Sequence, residues 1–312
     1  MAETTAGLLL ADKPAGPTSH DVVAAVRRAL GGARVGHAGT LDPFATGLLL
    51  LLLGRATRLA EYASGLEKTY LATLRLNASS TTDDPDGRIT EGPPADPPDE
   101  ETLRTALAGF VGETLQAPPR FSALRVAGER AYRMARRDVD FALEPRPVRV
   151  HDVELLAYEF PCASFRARTG PGVYVRSLAR DVGRALGTAA YLTALRREAI
   201  GTFRVEAAID VRRLEGDRIA AALRPAEEAV AHLTSVALDP GDARAFAAGR
   251  RLPAVARMAV TSGGGVDPRE AGPPGPEAVV RVLGPEGFLG IGIVEDEILR
   301  PVKVLFPERA EP

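Results

Sequence analysis

Hydrophobic positions along the chain follow two periods. "KTYLATLRLN", residues 68–77, alternates, with Tyr70, Ala72, Leu74 and Leu76 on one side, which predicts a half-buried strand. Residues 147–160, "PVRVHDVELLAYEF", and 163–169, "ASFRART", read as two further strands joined by a tight turn. Helical spacing governs "HDVVAAVRRALGG", where Val22, Val23, Val26 and Leu30 share a face, Thr18 and Ser19 mark the start and Gly31-Gly32 the stop. It recurs in "GPGVYVRSLARDVGRALG", with Val175, Leu178, Val182 and Leu186 apolar and Gly187 as the stop, so Tyr174 and Arg176 lie at the first turn. A third helix is predicted over residues 100–110.

"RVGHAGTLDPFATGLLLLLLG", residues 34–54, obeys neither period. Leu48 to Leu53 is too short to span a bilayer and reads as a strand buried on both faces. Ahead of it, Gly36, Gly39 and Gly47 permit close backbone approach, and Pro43 biases Asp42 toward an extended conformation. A shaped loop anchored on a rigid strand thus surrounds one carboxylate. An Asp-Pro pair alone commonly caps a turn, so the role of Asp42 rests on its context.

Residues 78–100 form a polar, turn-rich connection, and 116–137 a Pro-punctuated loop running into a basic helix or strand–helix unit. After residue 235 the texture changes to a short helix within 239–250, a Gly- and Pro-rich stretch at 262–277, and strands near 279–284, 288–295 and 299–306. A second, small β-rich domain is expected there, and truncation at this boundary is expected to leave a folded first domain.

Composition narrows the chemistry. At 312 residues and 45% hydrophobic content the chain can bury a sizeable core, divided between two domains. One cysteine, Cys162, excludes an internal disulfide and a cysteine-based zinc cluster, and His20, His37, His151 and His232 lack metal-ligand spacing. A calcium loop with Gly87 at its sixth position would begin at Thr82 and end at Pro93, neither of them a suitable ligand. "SGGG" at 262–265 lacks the ending of a phosphate-binding loop. The N-terminus shows no signal-peptide pattern, so a cytoplasmic protein without a membrane partner is expected.

Net charge is only -2, yet the charge is segregated. Residues 120–150 carry eight arginines against four acids, and 166–204 eight against two, the pattern a polyanion would attract. Arg outnumbers Lys 36 to 3, which explains the identity of the cations but not their clustering. Arg176, Arg180 and Arg184, spaced by four, make one cationic stripe on their helix.

"GLLLADKPAGPTSHDVV", "VGHAGTLDPFATGLL", "EKTYLATLRL", "PPRFSALRVAGERAYRMAR", "GVYVRSLARDVG" and "YLTALRREAIGTF", in this order over residues 7–203, resemble the motifs of the TruB family of tRNA pseudouridine-55 synthases. The tail resembles the PUA RNA-binding domain that follows in that family. The resemblance implies an α+β fold: a mixed, largely antiparallel-sheet catalytic domain with flanking helices and a cleft over residues 1–235, plus a small β-rich PUA-like domain over 236–312.

It further implies isomerisation of uridine to pseudouridine at position 55, in the T-stem-loop of tRNA, with Asp42 as the catalytic aspartate. Tyr70 would stack on the flipped base, Tyr174 assist, Arg176 pair with Asp42, and His37 fill the space the uridine leaves. Lys13 and Arg136 are expected to meet phosphates. Neither metal nor cofactor is expected, nor an obligate protein partner; a monomer is. Two alternatives stand beside this reading: a noncatalytic RNA-binding or tRNA-folding protein, and a guide-RNA-dependent relative. Glycoside hydrolysis would call for two flanking carboxyl groups. The second acid nearest in the motif set, Asp84, lies in a loop that departs from the family pattern, with Asn77 in place of Gly and Thr81 in place of Asp. Arg125 likewise stands where Lys is commoner.

Overall fold

The leucine run becomes part of the strand Thr46–Leu53, in which every residue from Gly47 to Leu53 is buried. The structure is a computed structural model that describes residues 6–305 except 95, 123, 127, 138, 214, 254–258 and 262–276. The Gly- and Pro-rich stretch seen in the sequence therefore lies almost wholly outside the described residues.

The first fourteen strands are, in chain order, β1 (Gly7–Lys13), β2 (Val35–Ala38), β3 (Thr46–Leu53), β4 (Lys68–Leu76), β5 (Ala78–Ser80), β6 (Ile89–Glu91), β7 (Gly112–Gln116), β8 (Arg125–Val126), β9 (Glu129–Arg130), β10 (Arg146–Glu159), β11 (Cys162–Thr169), β12 (Ala190–Ile200), β13 (Phe203–Arg204) and β14 (Ile209–Asp210). Apart from the hairpins β5–β6 and β8–β9 they form one sheet in the order β14-β1-β3-β12-β4-β11-β10-β7, with β2 added to β3 and β13 to β12. Pairing is antiparallel except for β1 with β14 and β3 with β12. The architecture is α+β, with α1 (Ser19–Ala29), α2 (Ala60–Ser64), α3 (Glu100–Ala108), α4 (Ala131–Arg136) and α5 (Val175–Ala185) flanking the sheet.

Two apolar clusters explain the leucines. Leu48, Leu50 and Leu52 face one side with Leu8, Leu10, Ile200 and Phe203, while Leu49, Leu51 and Leu53 face the other with Leu9, Ala11 and the α1 residues Val22 and Val26. A strand covered on both faces needs no polar phase, and each fully buried leucine contributes roughly 1.5–3 kcal/mol. Helix α1 starts at a capping box between Thr18 and Asp21. Helix α5 lays Val175, Leu178, Ala179 and Val182 on Ala72 and Leu74 of β4 and Leu192 of β12.

Two strands escape the period-two reading. In β12 register shifts between Leu192 and Ala194 and between Arg197 and Ala199 break the alternation, and β1 is buried at six of its seven positions. The connection 78–100 also folds a short hairpin, β5 with β6.

A second sheet has the order β16 (Leu252–Pro253), β20 (Ile298–Val304), β19 (Gly287–Glu295), β18 (Glu277–Gly284), β15 (Ser235–Ala237), β17 (Ala259–Thr261), and is the small β-rich unit that the sequence implies. It does not stand apart from the first sheet. Ile291 and Leu305, both fully buried, and Phe288 belong to the same apolar cluster as Leu8, Leu10 and the even-numbered leucines of β3. Arg55 and Arg58 donate to the carbonyls of Leu305 and Val304 at 3.2 and 2.8 Å, Lys303 bonds the Arg58 carbonyl at 2.7 Å and pairs with Glu61, and Arg281 pairs with Glu227 at 2.6 Å. Removing the tail uncovers an apolar face of the first domain. Leu305→Ala is expected to lose about 2–5 kcal/mol of unfolding free energy in urea. A chain ending at residue 235 is expected to melt below the full chain.

Candidate active site

The loop between β2 and β3 is held by its own carbonyls. Gly39 and Thr40 accept from Arg197 Nη2 and Nη1 at 3.1 and 3.3 Å. Leu41 exchanges two bonds with the Ser19 hydroxyl, its N–H donating at 2.8 Å and its carbonyl accepting at 3.1 Å. The Asp42 carbonyl accepts from the Ala45 N–H at 3.2 Å, and that of Pro43 from the Gly16 N–H at 2.8 Å and Lys13 Nζ at 3.1 Å. Five successive carbonyls are thereby satisfied, so the segment carrying Asp42 has little freedom to re-aim its side chain. At the loop's end Gly47 has φ +103° and lies so close to β12 that a Cβ would come 2.3 Å from the Arg197 carbonyl oxygen.

Arg176 meets that side chain from the first turn of α5. Its Nη2 donates to Asp42 Oδ1 at 3.0 Å, and its Nε lies 2.9 Å from Oδ2 but off the hydrogen-bonding direction. The same guanidinium donates to the carbonyls of Thr82 and Phe121 and pairs with Asp84 at 3.1 Å. The Arg176 side chain is 3% exposed and that of Asp42 33%. The carboxylate therefore has a buried cation on one side and solvent on the other.

The cationic stripe does not form an outward face. Arg180 is mostly buried against Asp83, at 2.9 Å, and Asp181, at 3.0 Å, and only Arg184 reaches solvent. The acidic loop at 82–84 packs against α5, so the charges neutralise each other internally. Burial raises the carboxyls of Asp83 and Asp84 above the usual range, opposed mainly by Arg180 for Asp83 and by the Thr82 hydroxyl and then Arg176 for Asp84. Tyr174, the N-cap of α5, donates its N–H to Gln116 Oε1 at 2.8 Å. Its hydroxyl is pushed up by burial and then by the Asp42 charge, which keeps it protonated at neutral pH.

The sequence is similar to known proteins along its length. The family described as TruB family pseudouridylate synthase (N terminal domain) matches residues 27–175. The tRNA pseudouridine synthase B of Thermobifida fusca (strain YX) is 44% identical over 257 residues, which cover 79% of this chain and 86% of that protein. The tRNA pseudouridine synthase B of Arthrobacter sp. (strain FB24) is 38% identical over 314 residues, covering 98% of each. The chain belongs to the TruB family. Among solved structures, a chain of an H/ACA RNP bound to a substrate RNA containing 2'-deoxyuridine superposes with a TM-score of 0.72 at 25% identity, covering 98% of this chain and 87% of that one.

Within this TruB family chain the residues singled out from the sequence fall into three groups. Asp42, Arg176 and Tyr174 share one site, and Tyr70 is buried in the same apolar cluster as Val175 and as Leu41 and Ala45, the loop residues on either side of Asp42. His37, on β2, lies edge-on to His20 with ring centroids 6.3 Å apart. Its Nδ1 is buried without a partner among the described residues, and burial, then His20 and Arg197, pull its pKa down, so the imidazole is neutral. Arg136 is exposed on α4 with its guanidinium 5.7 Å from the Tyr132 ring centre.

Lys13 is the exception. It is fully buried, and its ammonium donates to the carbonyls of Pro14, Pro17 and Pro43, so all three donors are engaged and none remains for a phosphate. Its role is to tie the Asp42 loop to β1. Arg197, Ser19 and Gln116 were not singled out from the sequence. Arg197 had a detectable signal, since it occupies the inward phase shared by Leu195 and Ala199. Among the described residues no group of three or more His, Cys, Asp or Glu side chains is placed to hold a metal ion.

Burial lowers the Lys13 pKa to about 8 against the opposing pull of Asp42. Below that pH the ammonium keeps three donors, and above it the amine loses one, so the hold on Pro43 slackens. Single-turnover rates measured from about pH 6.5 to 9.5 are expected to fall as pH rises through the Lys13 value. Lys13→Met is expected to be slower throughout and to lack this alkaline limb.

Proposed function

We propose that this chain isomerises uridine to pseudouridine at position 55 in the T loop of tRNA, with Asp42 as the catalytic residue. The observation that carries this reading is a single part-exposed carboxylate, fixed by a buried arginine, on a loop whose consecutive carbonyls are all bound. In the reaction the bond from N1 of uracil to C1' of the ribose breaks, the base turns, and C5 bonds to C1'. The C5 proton leaves to solvent and N1 takes one up, so no electron pair or atom is gained overall. One aimed carboxylate beside the sugar suits that chemistry. Asp84 does not supply a second, because it is buried on the far nitrogen of Arg176 and bonded to Thr82 and the Asp86 N–H.

The target base lies in folded RNA and must be extruded to reach the site. Tyr70 supplies the stacking face, Tyr174 a protonated hydroxyl beside Asp42, and Arg176 the orientation of the carboxylate. A neutral His37 fills the vacated place in the RNA, and Arg136 meets phosphate from α4. Residues 1–235 act as the catalytic unit and 236–312 as a PUA-like RNA-binding unit, since the division falls at the first strand of the second sheet. The protein works as a monomer in the cytoplasm, without an obligate protein partner. The guide-RNA-dependent alternative is less favoured, because the two relatives titled tRNA pseudouridine synthase B above are 44% and 38% identical and the H/ACA RNP chain 25%.

The test uses the purified full chain, unmodified tRNA tritiated at C5 of uridine, and EDTA. Tritium release is expected without any added protein or RNA. Asp42→Asn is expected to keep RNA affinity and to lose more than tenfold in rate, which is about 1.4 kcal/mol or more of transition-state stabilisation. Retention of rate would remove Asp42 from the catalytic role. Tyr70→Ala is expected to weaken capture of the flipped base by roughly 1–3 kcal/mol, and Tyr70→Phe to restore it, as measured by RNA affinity.

A further inference from the structure

Arg197 is among the largest fully buried side chains, and among the described residues it has no acidic partner. Its guanidinium donates only to backbone carbonyls: Nε to Leu48 at 2.7 Å, Nη1 to Thr40 at 3.3 Å and Nη2 to Gly39 at 3.1 Å. Burying a cation without a carboxylate is costly, and an apolar side chain commonly serves packing better. The neighbouring Arg196 shows the ordinary solution, a bidentate pair with Asp12 near the surface. The pairing of β12 with β3 and β4 runs through the backbone and does not require the Arg197 side chain.

The three accepting carbonyls lie on both sides of Asp42, two just before it and one at the start of the leucine run. The guanidinium holds its donors in one fixed planar fork, a geometry that the freely rotating ammonium of a lysine does not keep. In the sheet register Arg197 stands opposite Gly47 of β3 and Tyr70 of β4. One residue thus touches the loop that carries the carboxylate and neighbours the strand that carries the stacking ring.

We propose that Arg197 is a positioning residue for the reaction, a clamp that joins the two ends of the Asp42 loop and sets the carboxylate relative to Tyr70. The inference rests on the isomerase reading above. The clamp works through the loop and makes no contact with the reacting base. Its charge also bears on His37, whose protonation it opposes.

The experiment compares full-length Arg197→Lys and Arg197→Gln with the unsubstituted chain by thermal melting, tRNA affinity, and single-turnover rate at saturating enzyme. Both variants are expected to fold and to bind tRNA within about threefold, while the saturating rate falls roughly tenfold to a hundredfold. The His37 imidazole, followed by NMR, is expected to titrate at higher pH in the glutamine variant. A folded variant with an unchanged saturating rate overturns the proposal, as does a loss confined to affinity. Failure of both variants to fold also overturns it, since Arg197 would then serve the sheet rather than the aim of the loop. An unsubstituted chain that leaves tRNA unmodified overturns the functional reading, and the clamp with it. Active variants beside an active parent overturn the clamp alone.

Discussion

The contact between Arg176 and Asp42 is the constraint on which the rest of the site depends. A guanidinium 3% exposed cannot stand alone in a protein interior, and its partners come from three separated segments: Asp42, the turn at Thr82 and Asp84, and Phe121. Each partner satisfies part of one charge, so displacing any of them leaves a buried donor unpaired. Of the two carboxylates in this set, Asp42 is the one that retains solvent access. A carboxylate with one fixed counter-charge and one open side is suited to act on something that arrives from solution.

The loop that presents this carboxylate is stiff because both its ends are anchored. Behind it, β3 is packed on two faces by leucines and cannot shift without disturbing either cluster. In front, α1 reaches the loop through Ser19 and β1 through Lys13, while β12 reaches it through Arg197. Two buried cations and a hydroxyl hold backbone oxygens that a looser loop would leave to water. Preorganisation of this kind makes the orientation of the side chain a property of the whole sheet.

The second sheet is part of the same construction. Ile291 and Leu305 lie in the cluster that supports the even-numbered leucines of β3, and Arg55 and Arg58, which follow that strand directly, cap the carbonyls of Val304 and Leu305. The tail thus closes the apolar face opposite the one that α1 covers. A change in how it docks would be felt at the strand from which the Asp42 loop springs.

Much of this was legible in the chain. The alternation from Tyr70 to Leu76, the helical faces of α1 and α5, and the leucine run bounded by glycines each encode which side of an element is buried, because that depends only on near neighbours in sequence. The resemblance of the motifs to the TruB family likewise points to Asp42, Tyr70, Tyr174 and Arg176 as one group. What local pattern does not encode is the partner across the sheet. Lys13 reads as a surface cation until Pro43 lies over it, 30 residues away, and Arg180 as an exposed charge until Asp83 meets it across 97. Arg197 reads as one basic residue among many until β12 is inserted between β3 and β4, where its reach to Gly39 spans 158 residues. A charged group's role is set by what desolvates and neutralises it, and those neighbours are chosen by the tertiary fold.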